Sequence, residues 1–397
     1  MINKKLYDFG KSNSIIRQLY EYGIERKEEI GEDKVYDFTL GNPSVPCPQK
    51  VNDELVDLIQ NTDSVELHSD TPAKGRKSVR YAVASYLQKR FGADISGDHI
   101  FLTLGAAACL SITINALVNP GEELILFVPY YPEYRVFSTS AHPKIVEVQP
   151  DKETFLPDLN DFESKITSNT AMVLYNSPNN PTGVVYDEEF IIKMTNILKK
   201  KEKEYNHPIY LLSDEPYREL IHNGTKYPFV TNYYDNSIVN YSFSKSLSLP
   251  GERVGYIALS EKMQDVDAAY KALCGSARSL GIICSCTLFQ HLIPRVLGLT
   301  SDLNVYKENG ELLYNMLTEI GYECIPSQGA FYLFVKALEE DAIHFSEVAK
   351  SIELLIVPSN SFGIDGYVRI AYCVPKEDIL RAKDTFIKLY NIYKGEK

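Results

Sequence analysis

Ser237-Ile-Val-Asn-Tyr-Ser-Phe-Ser-Lys245-Ser246 sets one lysine among hydroxyls just past an apolar run, and Leu249-Pro-Gly-Glu-Arg253-Val-Gly255 adds a guanidinium a few residues later. The run Ile238 to Tyr241 is short, bounded by polar residues and rich in strand formers, so it reads as a buried strand. The same signature recurs outward from it, at Ile100 to Leu104, Leu124 to Val128, Ile145 to Val148, Ala171 to Tyr175, Ile209 to Leu212 and Tyr256 to Leu259. Helical stretches such as Ala106 to Val118 alternate with these runs. Repeated β-α units predict an α/β fold with a mostly parallel sheet flanked by helices. Ligand groups gather at the carboxyl ends of such strands, where Lys245 stands.

A lysine amine sheltered from water loses its proton readily and condenses with an aldehyde, while serine hydroxyls and arginine suit a phosphate. The pairing points to pyridoxal phosphate, which carries both and confines the chemistry to the alpha carbon of amino acids and amines. A surface lysine after a strand would show the same local pattern, so the test is whether the other strand ends supply what that cofactor needs. Asp214 ends Ile209-Tyr-Leu-Leu-Ser-Asp214, where a carboxylate pairs with a pyridine nitrogen or merely caps a helix. Tyr217 follows three residues later, one of 28 tyrosines, and its spacing to Asp214 is what singles it out as a donor to a ring oxygen. Asn176-Ser-Pro-Asn-Asn-Pro-Thr-Gly183 is a turn-rich loop that also offers the Asn180 amide. Tyr367-Val-Arg369-Ile-Ala-Tyr-Cys373 places an arginine inside an apolar strand, which requires a carboxylate partner, internal or from a substrate.

The whole-chain numbers set limits. At 397 residues, 44% hydrophobic and 24% charged, the chain is long enough for two packed cores. Its net charge of -12 argues against general affinity for nucleic acid or anionic membrane. The start, Met1 to Gly10, lacks the apolar core of a signal peptide and no later run spans a bilayer, so a cytoplasmic location is expected. The seven cysteines form no Cys-x-x-Cys pair and match no histidine cluster, which predicts neither zinc nor a disulfide framework. The seven histidines carry no local signature of a catalytic triad. Lys199-Lys-Lys-Glu-Lys-Glu204 reads as the solvated end of a helix. The runs Leu312 to Tyr322, Ala330 to Val335 and Tyr367 to Tyr372, closing on the amphipathic Glu377 to Tyr390, predict a smaller α+β domain.

Asn179-Asn-Pro-Thr-Gly183, Ser213-Asp-Glu-Pro-Tyr217, Ser242-Phe-Ser-Lys245 through Arg253-Val-Gly255, and Tyr367-Val-Arg369 are individually weak, but in this order and spacing they are highly specific. Together they resemble the class I/II aminotransferases, fold type I pyridoxal phosphate enzymes of the aspartate aminotransferase kind, over nearly the whole chain. The resemblance implies that Lys245 holds the cofactor as an internal aldimine and shuttles the substrate's proton, with Asp214 on the ring nitrogen. It assigns Tyr217 and Asn180 to the ring oxygen, and Ser242 and Arg253 to the phosphate. Tyr131, in Pro129-Tyr-Tyr-Pro132, would stack on the ring; Arg369 and the backbone at Gly41, with Asn180, would meet the substrate. The resemblance also implies a homodimer, a large domain at 46–294, and a small domain made of 1–45 with 295–397. Closure of the small domain would exclude water.

This chain departs from the family in two places. The helix after the first strand opens Leu104-Gly-Ala106-Ala107-Ala-Cys109, without the hydroxyl residue common there, which leaves phosphate binding at Ala106 and Ala107 to backbone amides. In His68-Ser-Asp70-Thr-Pro-Ala-Lys-Gly75, Asp70 stands where the family carries a tyrosine that reaches the neighbouring subunit's phosphate. Two roles fit an acid there: selection of an amine-bearing substrate, or capping of the following turn, the commoner use.

The function expected is transfer of the alpha-amino group of an L-amino acid to a 2-oxo acid. A β-lyase on the same scaffold, releasing pyruvate and ammonia, shares every motif. A cofactor-binding regulator is disfavoured by the net charge and by the short stretch before Leu40-Gly-Asn-Pro43, too small for an added DNA-binding domain. The amino donor stays open among aspartate, aromatic and neutral side chains; Arg278 is a candidate for meeting an acidic side chain, or simply a surface arginine.

Overall fold

The computed structural model describes residues 2–11, 14–222 and 224–395. A seven-stranded sheet forms its centre, running across as Ile100–Thr103, Gly255–Leu259, Ser237–Ser242, Tyr210–Asp214, Thr170–Asn176, Glu123–Phe127 and Lys144–Val148. The four strands from Glu123–Phe127 through Ser237–Ser242 are nearly all buried, and each face of the sheet is covered by its own apolar cluster. This explains why the strands read as continuous apolar runs: both faces are dry.

One strand departs from the expected parallel series. Gly255–Leu259 runs antiparallel to both of its neighbours, with Gly255 in register with Thr103 on one side and Ser242 on the other. An antiparallel pair needs only a short connection, and the link here is the single turn Phe243–Ser246 and a loop. The reversal has a consequence for the site. It brings the start of this strand, and Arg253 just before it, to the edge where the other strands end. Glycine is required at 255, since an added Cβ would sit 2.3 Å from the Tyr241 carbonyl oxygen and 3.0 Å from the Gly105 Cα.

The C-terminal third forms an antiparallel sheet ordered Val357–Pro358, Tyr367–Ala371, Tyr332–Lys336, packed under Asn304–Ile320, Ala342–Lys350 and Lys383–Lys394. The N-terminal segment joins it: Tyr36–Asp37 pairs with Leu354–Leu355, and the Ala371 amide donates to the Phe38 carbonyl at 2.9 Å. The expected domain limit at 294 falls inside the helix Thr287–Val296, whose Arg295 pairs with Glu54 and Asp57 of Gln49–Asn61. The amphipathic stretch 377–390 is two helices, Lys376–Arg381 and Lys383–Lys394.

Behind the strand ends lies a buried charge cluster. Arg218 donates to Glu215 at 3.0 Å, to Glu219 at 3.2 Å and to the Tyr256 hydroxyl at 3.1 Å, with its guanidinium 4.1 Å from the Tyr241 ring centre. Arg218→Met would leave two carboxylates buried without their cation. It should destabilise the protein by about 3–5 kcal/mol, read as a lowered urea midpoint at unchanged slope.

Candidate active site

Three of the parallel strands end in a polar residue, Asn176, Asp214 and Ser242, that lines one cavity of about 240 Å³. Gly41, Ala106, Ala107, Tyr131, Asn180, Asp214, Tyr217, Ser242, Lys245, Arg253 and Arg369, the residues expected from sequence to hold cofactor and substrate carboxylate, line it.

The Lys245 amine is half-buried on the turn Phe243–Ser246 and donates to the Gly41 carbonyl at 2.5 Å. Burial, helped by the nearby Arg253 and Arg369 charges, lowers it to about 8. Ser242 caps the turn, accepting from the Ser244 amide at 3.2 Å, and the two serine hydroxyls lie 2.7 Å apart. Across from them Gly105, at φ +89°, precedes the helix Ala106–Leu117, whose first amides have no partner within the helix. An added Cβ at Gly105 would lie 3.0 Å from Arg253 Nη2, so the guanidinium sits directly against this helix start. Arg253 is itself exposed, at the mouth of the site.

Asp214 is buried at the end of its strand, with Oδ2 accepting from the Tyr134 hydroxyl at 2.7 Å and Oδ1 left without a partner. Desolvation raises its carboxyl to about 7, against the lowering by the Tyr134 bond. Asn176 braces this corner, donating to the Asp214 carbonyl at 2.9 Å and accepting from the Asn180 amide at 2.8 Å. Arg369 is 1% exposed, yet it donates only to neutral oxygens, Asn180 Oδ1 at 2.9 Å and the Thr39 carbonyl at 2.5 Å. Its Nε is unpartnered. A buried guanidinium with donors to spare and no carboxylate partner among the described residues is able to receive an external one.

These donors fit pyridoxal phosphate. The orphaned Asp214 Oδ1 suits a cationic ring N–H; the helix start with Ser242 and Arg253 suits a phosphate; Tyr131 supplies an aromatic face and Lys245 an amine. The Asn180 oxygen is taken by Arg369, so its NH2 is the group left to donate to a ring oxygen.

Sequence reasoning overlooked Tyr134, Asn176, Ser244 and Tyr332, all of which line the cavity. Ser244 stands in the motif already quoted, and Tyr134 lies three residues past Tyr131, a spacing that could have flagged it. Asp70 follows neither proposed role within this chain. Its side chain is exposed, it does not line the cavity, and no described residue hydrogen-bonds to it. The turn it precedes is closed by backbone, Gly75 to Pro72 at 2.7 Å. Arg278 is exposed on Val266–Ser279, outside the cavity lining.

This architecture, a mostly parallel sheet with a smaller domain over its carboxyl edge, is that of the fold type I pyridoxal phosphate enzymes. Residues 33–386 match the family described as Aminotransferase class I and II, and the chain belongs to that family. An amino transferase of Eubacterium rectale, known from its crystal structure, superposes with a TM-score of 0.96 at 47% identity, covering 99% of both chains. The aspartate aminotransferase of Thermotoga maritima is 30% identical over 360 residues, 89% of this chain and 90% of that one. The crystal structure of an aspartate aminotransferase from the same organism superposes with a TM-score of 0.85 at 27% identity, over 98% of this chain and 100% of that one. The chain is thus a pyridoxal phosphate-dependent aminotransferase acting on amino and oxo acids. Among the described residues no helix is long and apolar enough to cross a membrane, and no three or more His, Cys, Asp or Glu side chains gather as metal ligands.

Proposed function

We propose that Lys245 is the proton carrier of this transamination and Arg369 the receptor for the alpha-carboxylate common to amino donor and oxo-acid acceptor. One observation carries this assignment. A lysine amine lowered to about 8 shares a single cavity with a buried carboxylate oxygen and a buried guanidinium nitrogen that both lack partners. Pyridoxal phosphate, when bound, draws off the electrons left at the alpha carbon as its proton leaves. Asp214 would hold the proton on the ring nitrogen, and Tyr217 with the Asn180 NH2 would donate to the ring oxygen. Ser242, Arg253 and the amides of Ala106 and Ala107 would bind the phosphate, and Tyr131 would cover the ring face. Lys245 Nζ, kept in place by the Gly41 carbonyl, would take the proton from the alpha carbon and deliver it to the cofactor carbon that had carried the aldehyde. The small domain, carrying Arg369, would close over the bound substrate and keep water out.

The relatives named aspartate aminotransferase make L-aspartate the first donor to test. Among the described residues lining the cavity the cations are Lys245, Arg253 and Arg369, all assigned above, so a side-chain carboxylate would need a cation from outside this lining. We also place the protein in the cytoplasm as a homodimer. Its seven cysteines are all free thiols, as in a reducing compartment. Apolar Leu104 and Ile283 are exposed near the segment that bonds Leu102 through Lys74 and Cys284 through Ala73.

The test is a half-reaction screen. Purified holoenzyme is mixed with each amino acid, and the bound cofactor's absorbance is followed from its aldehyde to its amine form. Conversion that reverses on adding a 2-oxo acid is expected. Ammonia and pyruvate released from a cysteine-type substrate without any acceptor would replace transfer by β-elimination. In the same assay Arg369→Ala should raise the donor concentration for half-maximal rate about 10²- to 10³-fold, with cofactor affinity changed little. Equal loss of both would make Arg369 structural.

A further inference from the structure

Three of the groups assigned above meet at a residue with no role so far. Tyr332 opens the strand Tyr332–Lys336 and is 2% exposed, yet it lines the cavity. Its hydroxyl lies 2.9 Å from the Tyr217 hydroxyl. Its ring centre is 4.6 Å from the Arg369 guanidinium carbon. An added Cβ at Gly41 would fall 1.9 Å from the Tyr332 hydroxyl, so glycine at 41 is what admits that hydroxyl beside the carbonyl that holds Lys245.

The hydrogen inventory of the tyrosine pair gives the contact a direction. Two hydroxyls carry two protons, and one is used between them. If Tyr217 donates to Tyr332, its own proton is spent and the one that remains is on Tyr332, so Tyr217 cannot serve the ring oxygen assigned to it. If Tyr332 donates, the Tyr217 proton is free to point there, and its donor strength rises because its oxygen is accepting a bond. An arginine against an aromatic face, shielded from water, is likewise held flat and in place.

We propose that Tyr332 is a positioning residue for two groups at once, the donor to the cofactor's ring oxygen and the receptor for the substrate's carboxylate. Its hydroxyl donates to Tyr217 and turns that proton toward the cofactor's ring oxygen, and its ring fixes the Arg369 fork for the carboxylate. The proposal rests on the roles given above to Tyr217 and Arg369, so its test includes a control for each.

The experiment uses holoenzyme variants and two readouts, neither of which is turnover. The first is the pH midpoint of the bound cofactor's visible absorbance without substrate. A donor stabilises the anionic ring oxygen, so a weakened donor moves the midpoint up. Tyr217→Phe is expected to raise it most and Tyr332→Phe by a smaller part, about half a pH unit. The second is the dissociation constant for 2-aminoisobutyrate, which offers the alpha-carboxylate but has no alpha proton to lose. Tyr332→Phe keeps the ring and should leave that constant within about 2-fold, while Tyr332→Leu should raise it about 5- to 30-fold. A midpoint that moves in Tyr217→Phe and stays put in Tyr332→Phe overturns the hydroxyl's role. Wild-type affinity in Tyr332→Leu, with affinity lost in Arg369→Ala, overturns the ring's role. If Tyr217→Phe and Arg369→Ala move neither readout, the fault lies with the site assignment itself. Should Tyr332→Leu fail to fold, Tyr332→Met, which fills the space without an aromatic face, takes its place in the second readout.

Discussion

Lys245→Ala should lower turnover by about 10⁴-fold or more while the protein keeps measurable affinity for pyridoxal phosphate. No other amine in the described residues lines the cavity, so nothing else there can carry the alpha proton. Binding should survive because Asp214, Ser242, Arg253 and the helix start at Ala106 are untouched by the change. Single-turnover absorbance and equilibrium dialysis separate the two quantities, and normal turnover in this variant would overturn the assignment. The wild-type amine adds a signed pH dependence. Burial penalises its charged form and brings it to about 8, so the free amine is more plentiful at neutral pH than on a surface lysine. Capture of free cofactor by apoenzyme should therefore accelerate about tenfold per pH unit below that value and level off above it. A continued rise to pH 10 would show an amine in ordinary solvent.

Asp214→Asn should cost about 10³-fold in turnover and yet stabilise the apoprotein. The carboxyl is held at about 7 by burial, well above its value in an unfolded chain. Between those two values the folded protein binds the extra proton, so stability from this group is present in acid and is lost as pH rises through about 7. Asparagine removes that dependence. At pH 8 the apo variant should be more resistant to urea than the apo wild type by up to about 4 kcal/mol, with the gap closing toward pH 4. Cofactor should narrow the gap too, because a cationic ring nitrogen on the orphaned Oδ1 restores the charged carboxylate of the wild type alone. The loss in turnover follows from the same exchange: an amide cannot hold a proton on that nitrogen. Equal urea midpoints at pH 8 would mean that Asp214 is not desolvated, and its role as the charged partner would fall.

How much was legible before any coordinates depended on how local each feature is. Strand ends at Asn176, Asp214 and Ser242 could be read because a buried strand followed by a turn is written in consecutive residues. The direction of Gly255–Leu259 could not, since five apolar residues look alike in either orientation and only hydrogen bonding to Thr103 and Ser242 decides it. Tyr134 and Tyr332 were hidden for another reason. They are two among 28 tyrosines, and their meaning comes from contacts with residues 80 and 115 positions away. Asp70 could be noticed as a departure, but that its side chain stands exposed, with no hydrogen-bond partner among the described residues, is set by the fold and not by its neighbours in sequence.

The sequence by itself determined which chemical groups this protein owns and in what order they occur: an amine after a strand, carboxylate and tyrosine three apart, a guanidinium inside an apolar run. Those are covalent facts with short-range consequences. Only the tertiary structure decided their state. Arg369 comes to lie against Asn180, 189 residues away, with donors left over. Lys245 and Asp214 move to about 8 and about 7 because neighbours from distant segments take their water away. A side chain's identity is local, but its desolvation and its partners are collective properties of the fold, and on those the proton transfers of this site depend.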